Sequence, residues 1–191
     1  MVNHRYWIGL IGKNGAGKST VARYLVSRHF QMVSLSSVVR SYAIEHQLSQ
    51  DRDSLIQTAN ALKMSYGMDY FARCCVDHVS ENYAKYVVFD SIRHVKEMDY
   101  LKSFHVEFWG IDAPVELRYQ RVLLRKEGTD FVDFETFKKQ EEFESNGQSV
   151  GQSLNEVFNA CDFFIQNTGE KQALHHCIEA KLKQHASALI D

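Results

Sequence analysis

Short apolar runs recur along the chain, and polar or glycine-containing segments separate them. Their length and their content of β-branched and aromatic residues are typical of buried strands rather than of helices. The pattern predicts five strands, at residues 6–11, 30–35, 86–89, 106–111 and 163–165.

Between the predicted strands, apolar side chains recur at the three- and four-residue spacing of helices. Strands that alternate with helices favour right-handed crossovers and a parallel sheet that is covered on both faces. The predicted fold class is therefore α/β, with three layers and a five-stranded parallel sheet. The helical patterns run through Thr20–Phe30, through Val39, Tyr42, Ala43 and His46, through Leu55, Ile56, Ala59 and Leu62, and through Leu174, Ile178, Leu182 and Leu189.

The length of the chain limits the number of domains. A chain of 191 residues can bury one core but is too short for two ordinary domains, so we expect residues 1–191 to form a single domain. Residues 36–84 hold at least two helical patterns, more than a minimal crossover needs. Residues 128–151 are acidic and rich in phenylalanine, and Asp133 is placed to cap a short helix there. We interpret both stretches as mobile insertions in the core fold.

Composition narrows the classes of partner. The formal charge is -2, from 22 basic and 24 acidic residues, which leaves no strong overall field for nucleic acid or for an anionic membrane. The sequence shows neither an apolar run of about 18 residues nor a charged-then-apolar leader, so we expect a cytoplasmic protein. The four cysteines lack the spacing of a zinc site, and we expect reduced thiols.

The strongest chemical signal follows the first predicted strand. Residues 12–19 read GKNGAGKS, a full match to the phosphate-binding pattern GxxxxGK(S/T), and a helical pattern follows. Glycines let backbone N–H groups turn around a phosphate, Lys18 adds a mobile cation, and the Ser19 hydroxyl is a Mg²⁺ ligand. The sequence therefore predicts binding of ATP with Mg²⁺. The expected nucleotide-binding residues of this loop are Gly12, Asn14, Gly15, Ala16, Gly17, Lys18, Ser19 and Thr20.

An aspartate and an arginine follow the third predicted strand. Asp90 closes that apolar run, and Arg93 lies three residues further on. In a phosphate-loop protein such an aspartate lies at the carboxyl edge of the sheet, where it can hold Mg²⁺ directly or through water. We expect Ser19 and Asp90 to form the metal site and Arg93 to bind an anion in the same crevice.

The order of these motifs resembles the nucleoside monophosphate kinases, of which adenylate kinase is the best-known member. The resemblance rests on the phosphate loop, a helix start at Ser36–Arg40, Asp90-x-x-Arg93, and Ile111–Pro114 leading into Glu116–Arg121. The tail Cys161–Gly169 also resembles dephospho-CoA kinase and an archaeal kinase-like group. The resemblance implies a P-loop fold in which residues 36–84 bind the acceptor and residues 128–151 form a lid.

The same resemblance assigns roles to particular residues. It implies that Arg40 and Arg93 grip the phosphate of the acceptor, and that Arg121, Arg125 and Asn167 meet the donor nucleotide. Lys18, Asp90, Arg93 and Arg125 are then the expected catalytic residues. The spacing of Arg118, Arg121 and Arg125 independently places them on one helical face, with Leu117 and Leu124 expected to pack on another.

Two departures from the family pattern bear on function. Relatives carry an aspartate just after the second strand, where this chain has Ser37, and a hydroxyl acceptor usually needs a carboxylate nearby. The predicted lid holds Lys138 and Lys139 but no arginine, which points to slow phosphoryl transfer. We expect a phosphotransferase that acts on a small-molecule nucleotide, a nucleoside or deoxynucleoside monophosphate. The alternatives are a dephospho-CoA kinase-like enzyme with a hydroxyl acceptor and a nucleotide-binding regulatory protein with weak catalysis.

Overall fold

The computed structural model describes residues 5–125, 132–145 and 154–188. Strands and helices alternate through most of this part of the chain. The strands are β1 (Tyr6–Ile11), β2 (Gln31–Ser34), β3 (Tyr86–Asp90), β4 (Glu107–Asp112) and β5 (Phe163–Gln166). The helices are α1 (Lys18–Ser27), α2 (Leu35–Glu45), α3 (Arg52–Tyr66), α4 (Tyr70–Glu81), α5 (Val95–Lys102), α6 (Val115–Arg125), α7 (Phe134–Ser145), α8 (Leu154–Asn159) and α9 (Lys171–Ala188).

The five strands form one parallel sheet in the order β2-β3-β1-β4-β5. β1 is central, all six of its residues are buried, and Gly9 pairs with Phe89 on one side and with Phe108 on the other. The predicted α/β class and all five predicted strands are therefore confirmed. The second strand is shorter than expected, because Leu35 already begins α2.

Apolar side chains alternate between the two faces of the sheet, as the pleat of a strand requires. Trp7 and Ile11 of β1 point into a cluster that is covered by α2, α3, α4, α5 and α8. Ile8 and Leu10 point into a second cluster, which α1 and α9 cover. Because helices cover both faces, the sites that remain open to ligands lie at the ends of the strands.

The insertion between β2 and β3 contains three helices, α2, α3 and α4, where the sequence predicted at least two. Asp51 caps α3, since its side chain accepts a hydrogen bond from the Ser54 backbone N–H at 2.9 Å. Buried Leu62 of α3 and Phe71 of α4 join the cluster beneath the sheet. The insertion is therefore packed against the core on its inner side.

The predicted cap in the acidic segment is confirmed. Asp133 accepts the Thr136 backbone N–H at 2.8 Å and begins α7, whose Phe137 is buried. Residues 128–131 and 146–151 of this segment lie outside the described residues, as does Leu189 of the last predicted helix. No helix in the described ranges is both long and apolar enough to cross a membrane.

Candidate functional site

The phosphate-loop sequence lies between β1 and α1, at the carboxyl edge of the sheet. Gly15 and Gly17 adopt positive φ angles of 76° and 110°. A Cβ at Gly15 would collide with the Arg118 carbonyl, and one at Gly17 with the Asn167 side-chain amide. These two glycines therefore let the loop backbone approach its neighbours closely, and their predicted contact with a phosphate stays a prediction.

The N-terminus of α1 is open to an anion. Its N-cap is Gly17, no side chain caps it, and its first turn holds no acidic residue. Such an end presents backbone N–H groups and the positive end of the helix dipole. The Lys18 ammonium donates to the carbonyls of Gly12 at 2.6 Å and Lys13 at 3.1 Å, so it lies within the loop. This arrangement can hold the phosphates of a nucleotide.

Asp90 ends β3, the strand next to β1. Its Oδ1 is buried and, within the described part of the chain, has no hydrogen-bond partner. An unsatisfied buried oxygen is unfavourable unless water or a cation completes it. Ser19 is exposed at the start of α1. No cluster of three or more His, Cys, Asp or Glu side chains occurs among the described residues. A carboxylate and a hydroxyl can nevertheless hold Mg²⁺ together with nucleotide phosphates and water, which is the manner in which this ion usually binds.

Three arginines of α6 reach the loop or the end of β5, as the sequence spacing indicated. Arg118 is buried, and it donates from Nε to the Ala113 carbonyl at 2.8 Å and from Nη1 to the Asn14 carbonyl at 3.4 Å. Arg121 donates to the Asn167 carbonyl at 2.9 Å, and burial lowers the pKa of Arg121. Arg125 donates from Nη2 to the Asn14 Oδ1 at 3.4 Å.

The expected packing of Leu124 is wrong. Its side chain is 81% exposed, whereas Val122 supplies the fully buried apolar contact of α6. Helical spacing places a side chain on a face of its helix, but it does not tell which face meets the core. Here the face with Arg118 turns inward, and Leu124 turns outward.

Glu141 of α7 contacts the phosphate loop, a role that the sequence pattern did not indicate. Its carboxylate accepts a hydrogen bond from Lys13 Nζ at 2.9 Å and is bound by both terminal nitrogens of Arg118. Burial raises the pKa of Glu141, but the hydrogen bonds and charges of Arg118 and Lys13 outweigh it and hold the pKa below the ordinary value. The acidic helix thus binds the phosphate loop through a carboxylate.

Asn167 lies behind the phosphate loop. Its side-chain Nδ2 donates to the Ala16 carbonyl at 2.8 Å, and its backbone N–H donates to the Asp112 carbonyl at 2.7 Å. The residue is buried, with 7% of its surface exposed. Asn167 therefore joins the ends of β4 and β5 to the loop. Its predicted contact with the nucleotide stays a prediction.

Arg40 on α2 and Arg93 after β3 are both exposed, and β2 and β3 are neighbours in the sheet. Among the described residues, neither guanidinium has a hydrogen-bond or ion-pair partner, and the Arg93 backbone N–H donates to Glu97. Hydroxyl groups rather than carboxylates follow β2. Ser34 contacts the hydroxyls of Ser36 at 3.0 Å and Ser91 at 3.1 Å, and Ser37 donates to the Ser34 carbonyl at 2.6 Å.

The phosphate loop and most of the sheet lie within a segment of the chain that matches a known protein family. Residues 8–146, from the first strand into α7, match the family described as AAA domain. The chain belongs to the AAA_18 family. The fold is that of the P-loop kinases, and the phosphate loop supports nucleotide binding.

Archaeal proteins are similar in sequence to this chain, which confirms the predicted resemblance to an archaeal group. The UPF0200 protein MMP1282 of Methanococcus maripaludis is 26% identical over 180 residues, covering 93% of this chain and 96% of that protein. A UPF0200/UPF0201 protein of Archaeoglobus fulgidus is 32% identical over 167 residues, or 85% of this chain. The match spans half the length of the Archaeoglobus protein.

Solved structures of other proteins share the fold. TT1252 from Thermus thermophilus superimposes with a TM-score of 0.66 at 21% identity, covering 95% of this chain and 98% of that one. Shikimate kinase from Acinetobacter baumannii, solved with shikimate, gives a TM-score of 0.56 at 15% identity and covers 96% of each chain. At these identities the likeness establishes the fold alone.

Proposed function

We propose that the protein is a P-loop kinase of the nucleoside monophosphate class. It transfers the γ-phosphate of ATP to a nucleoside or deoxynucleoside monophosphate with Mg²⁺. Lys18 neutralises the transferring charge, Ser19 and Asp90 hold the metal, and Arg121 and Arg125 meet the donor. The buried Asp90 Oδ1, which accepts no hydrogen bond from the part of the chain that the structure describes, supports the metal site. The cytoplasmic location and the lack of a nucleic-acid partner are parts of the same proposal.

One observation carries the choice of acceptor. Arg40 and Arg93 present two guanidinium groups that have no carboxylate partner in the described part of the chain. Two such cations, one on the helix that follows β2 and one in the turn that follows β3, suit an acceptor that is itself a phosphate, because arginine binds phosphate oxygens in a bidentate manner. A phosphate acceptor attacks through an anionic oxygen and needs no general base, which agrees with the hydroxyls that follow β2.

Asp90 favours a second candidate function. Its Oδ1, which has no hydrogen-bond partner among the described residues, could instead accept the proton of a hydroxyl acceptor, which is the role of a general base. The structural neighbours include a shikimate kinase that was solved in complex with shikimate and a gluconokinase from Sinorhizobium meliloti. In that case the enzyme is a hydroxyl-acceptor kinase of the dephospho-CoA kinase type.

The test is a measurement of ADP production from Mg·ATP against a panel of acceptors. The panel holds ribonucleoside and deoxyribonucleoside monophosphates, dephospho-CoA, shikimate and gluconate. We expect turnover with at least one monophosphate to exceed turnover with every hydroxyl acceptor. The reverse preference contradicts the monophosphate assignment, and tight ATP binding without transfer to any acceptor favours a regulatory protein.

Arginine variants test the assignment of the acceptor phosphate. Arg40→Ala or Arg93→Ala should raise the acceptor KM or lower kcat by about 2–4 kcal/mol of transition-state binding, with the ATP KM nearly unchanged. Arg23→Ala removes an exposed arginine from α1 and is the matched control, which should leave both parameters unchanged. Loss of ATP binding in the first two variants would instead assign these arginines to the donor site.

A further inference from the structure

Two charged side chains, Lys63 and Glu97, are buried in the layer of helices beside the proposed acceptor site. Only 7% of the Lys63 side chain and 1% of the Glu97 side chain are exposed. Lys63 Nζ lies 2.9 Å from Glu97 Oε1 and 5.4 Å from the centre of the Phe71 ring. A buried ion pair often adds nothing to stability compared with apolar residues of similar size. The groups that this ion pair holds in place therefore bear more on function than its contribution to stability does.

The second oxygen of Glu97 holds the turn that follows β3. Glu97 Oε2 accepts the backbone N–H groups of Arg93 at 2.8 Å and His94 at 3.0 Å. The bond from the His94 N–H is one half of the capping box that begins α5, and the His94 side chain also accepts the Lys96 N–H at 3.1 Å. One carboxylate thus joins the turn carrying Arg93 to α3 of the insertion, through Lys63.

The held turn has an unusual backbone. Ser91 directly follows Asp90 and adopts a φ of 64°, in the left-handed region that is unfavourable for residues with a Cβ. Its hydroxyl accepts a hydrogen bond from Ser34 at 3.1 Å. A disfavoured conformation persists only where the surrounding structure imposes it, and the Glu97 carboxylate holds the same turn two and three residues further on.

We propose that Glu97, itself fixed by Lys63, is a positioning residue for Arg93. It holds the turn between Asp90 and α5 in one conformation and fixes the position of the Arg93 backbone relative to α3. This inference rests on the proposed function in assuming that Arg93 binds the acceptor phosphate. Glu97 touches neither nucleotide; its effect on transfer passes through Arg93.

Two paired variants separate the cap from the charges. Lys63→Met with Glu97→Leu removes both charges and the cap but keeps an apolar interior. Lys63→Met with Glu97→Gln also removes both charges. The amide oxygen of the introduced glutamine can still accept the Arg93 and His94 N–H groups. If the cap positions the turn, only the leucine pair should disturb it.

The first readout is amide hydrogen exchange over residues 90–94, which needs no acceptor. In the leucine pair we expect exchange there to rise about tenfold, as expected when hydrogen bonds to a charged group are lost. The glutamine pair should stay close to the wild type, and β1 should be unchanged in both. Unchanged exchange over 90–94 in the leucine pair overturns the proposal, as does an equal rise in both pairs.

The second readout is kinetic and uses whichever monophosphate the wild type phosphorylates. The leucine pair should raise the acceptor KM about tenfold while the ATP KM stays unchanged, and the glutamine pair should resemble the wild type. In an Arg93→Ala background the leucine pair should add no further loss, since Glu97 acts through Arg93. Additive losses, or equal changes in both KM values, show a merely structural role and overturn the proposal.

Two further outcomes concern an inactive wild type and a leucine pair that does not fold. A wild type that phosphorylates no monophosphate contradicts the proposed function, and hydrogen exchange alone then decides the role of Glu97 in holding the turn. If the leucine pair does not fold, Glu97→Asp replaces it. That variant keeps the charge but shortens the side chain by one methylene, and it should move both readouts in the same direction. No change in either readout with Glu97→Asp overturns the proposal.

Discussion

At the scale of single residues, Lys18 is a side-chain cation that lies within the phosphate loop and donates to the carbonyls of Gly12 and Lys13. We predict that Lys18→Ala weakens Mg·ATP binding and lowers kcat by on the order of 10²- to 10³-fold, because a positioned cation on the transferring charge is lost. Calorimetry and steady-state kinetics measure the two effects. Lys139→Ala, an exposed lysine on α7, is the control. Unchanged ATP affinity in folded Lys18→Ala contradicts the loop assignment.

Glu141 is the second residue with a sharp expectation. Its carboxylate neutralises Lys13 and Arg118 beside the loop, so a bound triphosphate competes with it for the same cations. We predict that Glu141→Gln binds Mg·ATP about fivefold more tightly, which corresponds to about 1 kcal/mol of relieved repulsion. Titration calorimetry measures the change. Glu142→Gln on the exposed side of α7 should leave the affinity unchanged, and weaker binding by Glu141→Gln would show that the carboxylate assists the nucleotide.

The lowered pKa of Glu141 also predicts a dependence of stability on pH. A carboxyl whose pKa is lower in the folded state stabilises the protein above its unfolded pKa of about 4.3 and loses that contribution as pH falls through the folded value. At pH 7 we expect Glu141→Gln to reduce the free energy of unfolding by about 1–3 kcal/mol. Denaturant unfolding should show this gap narrowing below pH 4.3. A constant gap between neutral and acid pH would contradict the ion pair.

At the scale of elements, α7 depends on a local capping signal. Asp133 accepts the Thr136 backbone N–H at 2.8 Å and the Thr136 hydroxyl at 2.9 Å. We predict that Asp133→Ala costs about 1 kcal/mol in the stability of this helix. Hydrogen exchange over residues 134–145 should rise while exchange in β1 is unchanged. Glu142→Ala removes an exposed acid from the same helix without touching the cap and should have little effect. Equal protection in the two variants would contradict the role of the cap.

The helices α6 and α7 each have features that the sequence pattern predicted and contacts that it did not. The period of α6 placed Arg118, Arg121 and Arg125 on one face, and the structure brings all three near the loop or the end of β5. The same period could not reveal that Leu124 is exposed. The acidic composition of α7 suggested only a lid without arginine, and did not indicate that Glu141 binds the loop.

At the scale of the whole molecule, nucleotide and metal should stabilise the fold together. A ligand that binds only the folded state adds about 2.7 kcal/mol when present at 100 times its Kd. We predict that Mg·ATP raises the Tm clearly. ATP with a chelator should raise it less, because no cation then reaches the buried Asp90 Oδ1, which lacks a hydrogen-bond partner within the described ranges. Thermal unfolding with ATP, Mg²⁺ and both measures this. The Lys18→Ala variant is the control, and equal shifts with and without Mg²⁺ would contradict the metal site.

The sequence by itself determined the five strands, the α/β class, the phosphate loop and the Asp133 cap. Each of these depends on residues that are close along the chain, where side-chain period, glycine placement and capping chemistry act locally. Tertiary structure alone decided the contacts between distant segments. Lys13 and Glu141 are 128 residues apart, and Asn167 supports Ala16 across 151 residues. Lys63 and Glu97 meet in the interior, although lysine and glutamate side chains ordinarily lie on the surface. Which charges meet depends on how the sheet orders its strands and how the helices pack on it, and that order is a property of the whole fold.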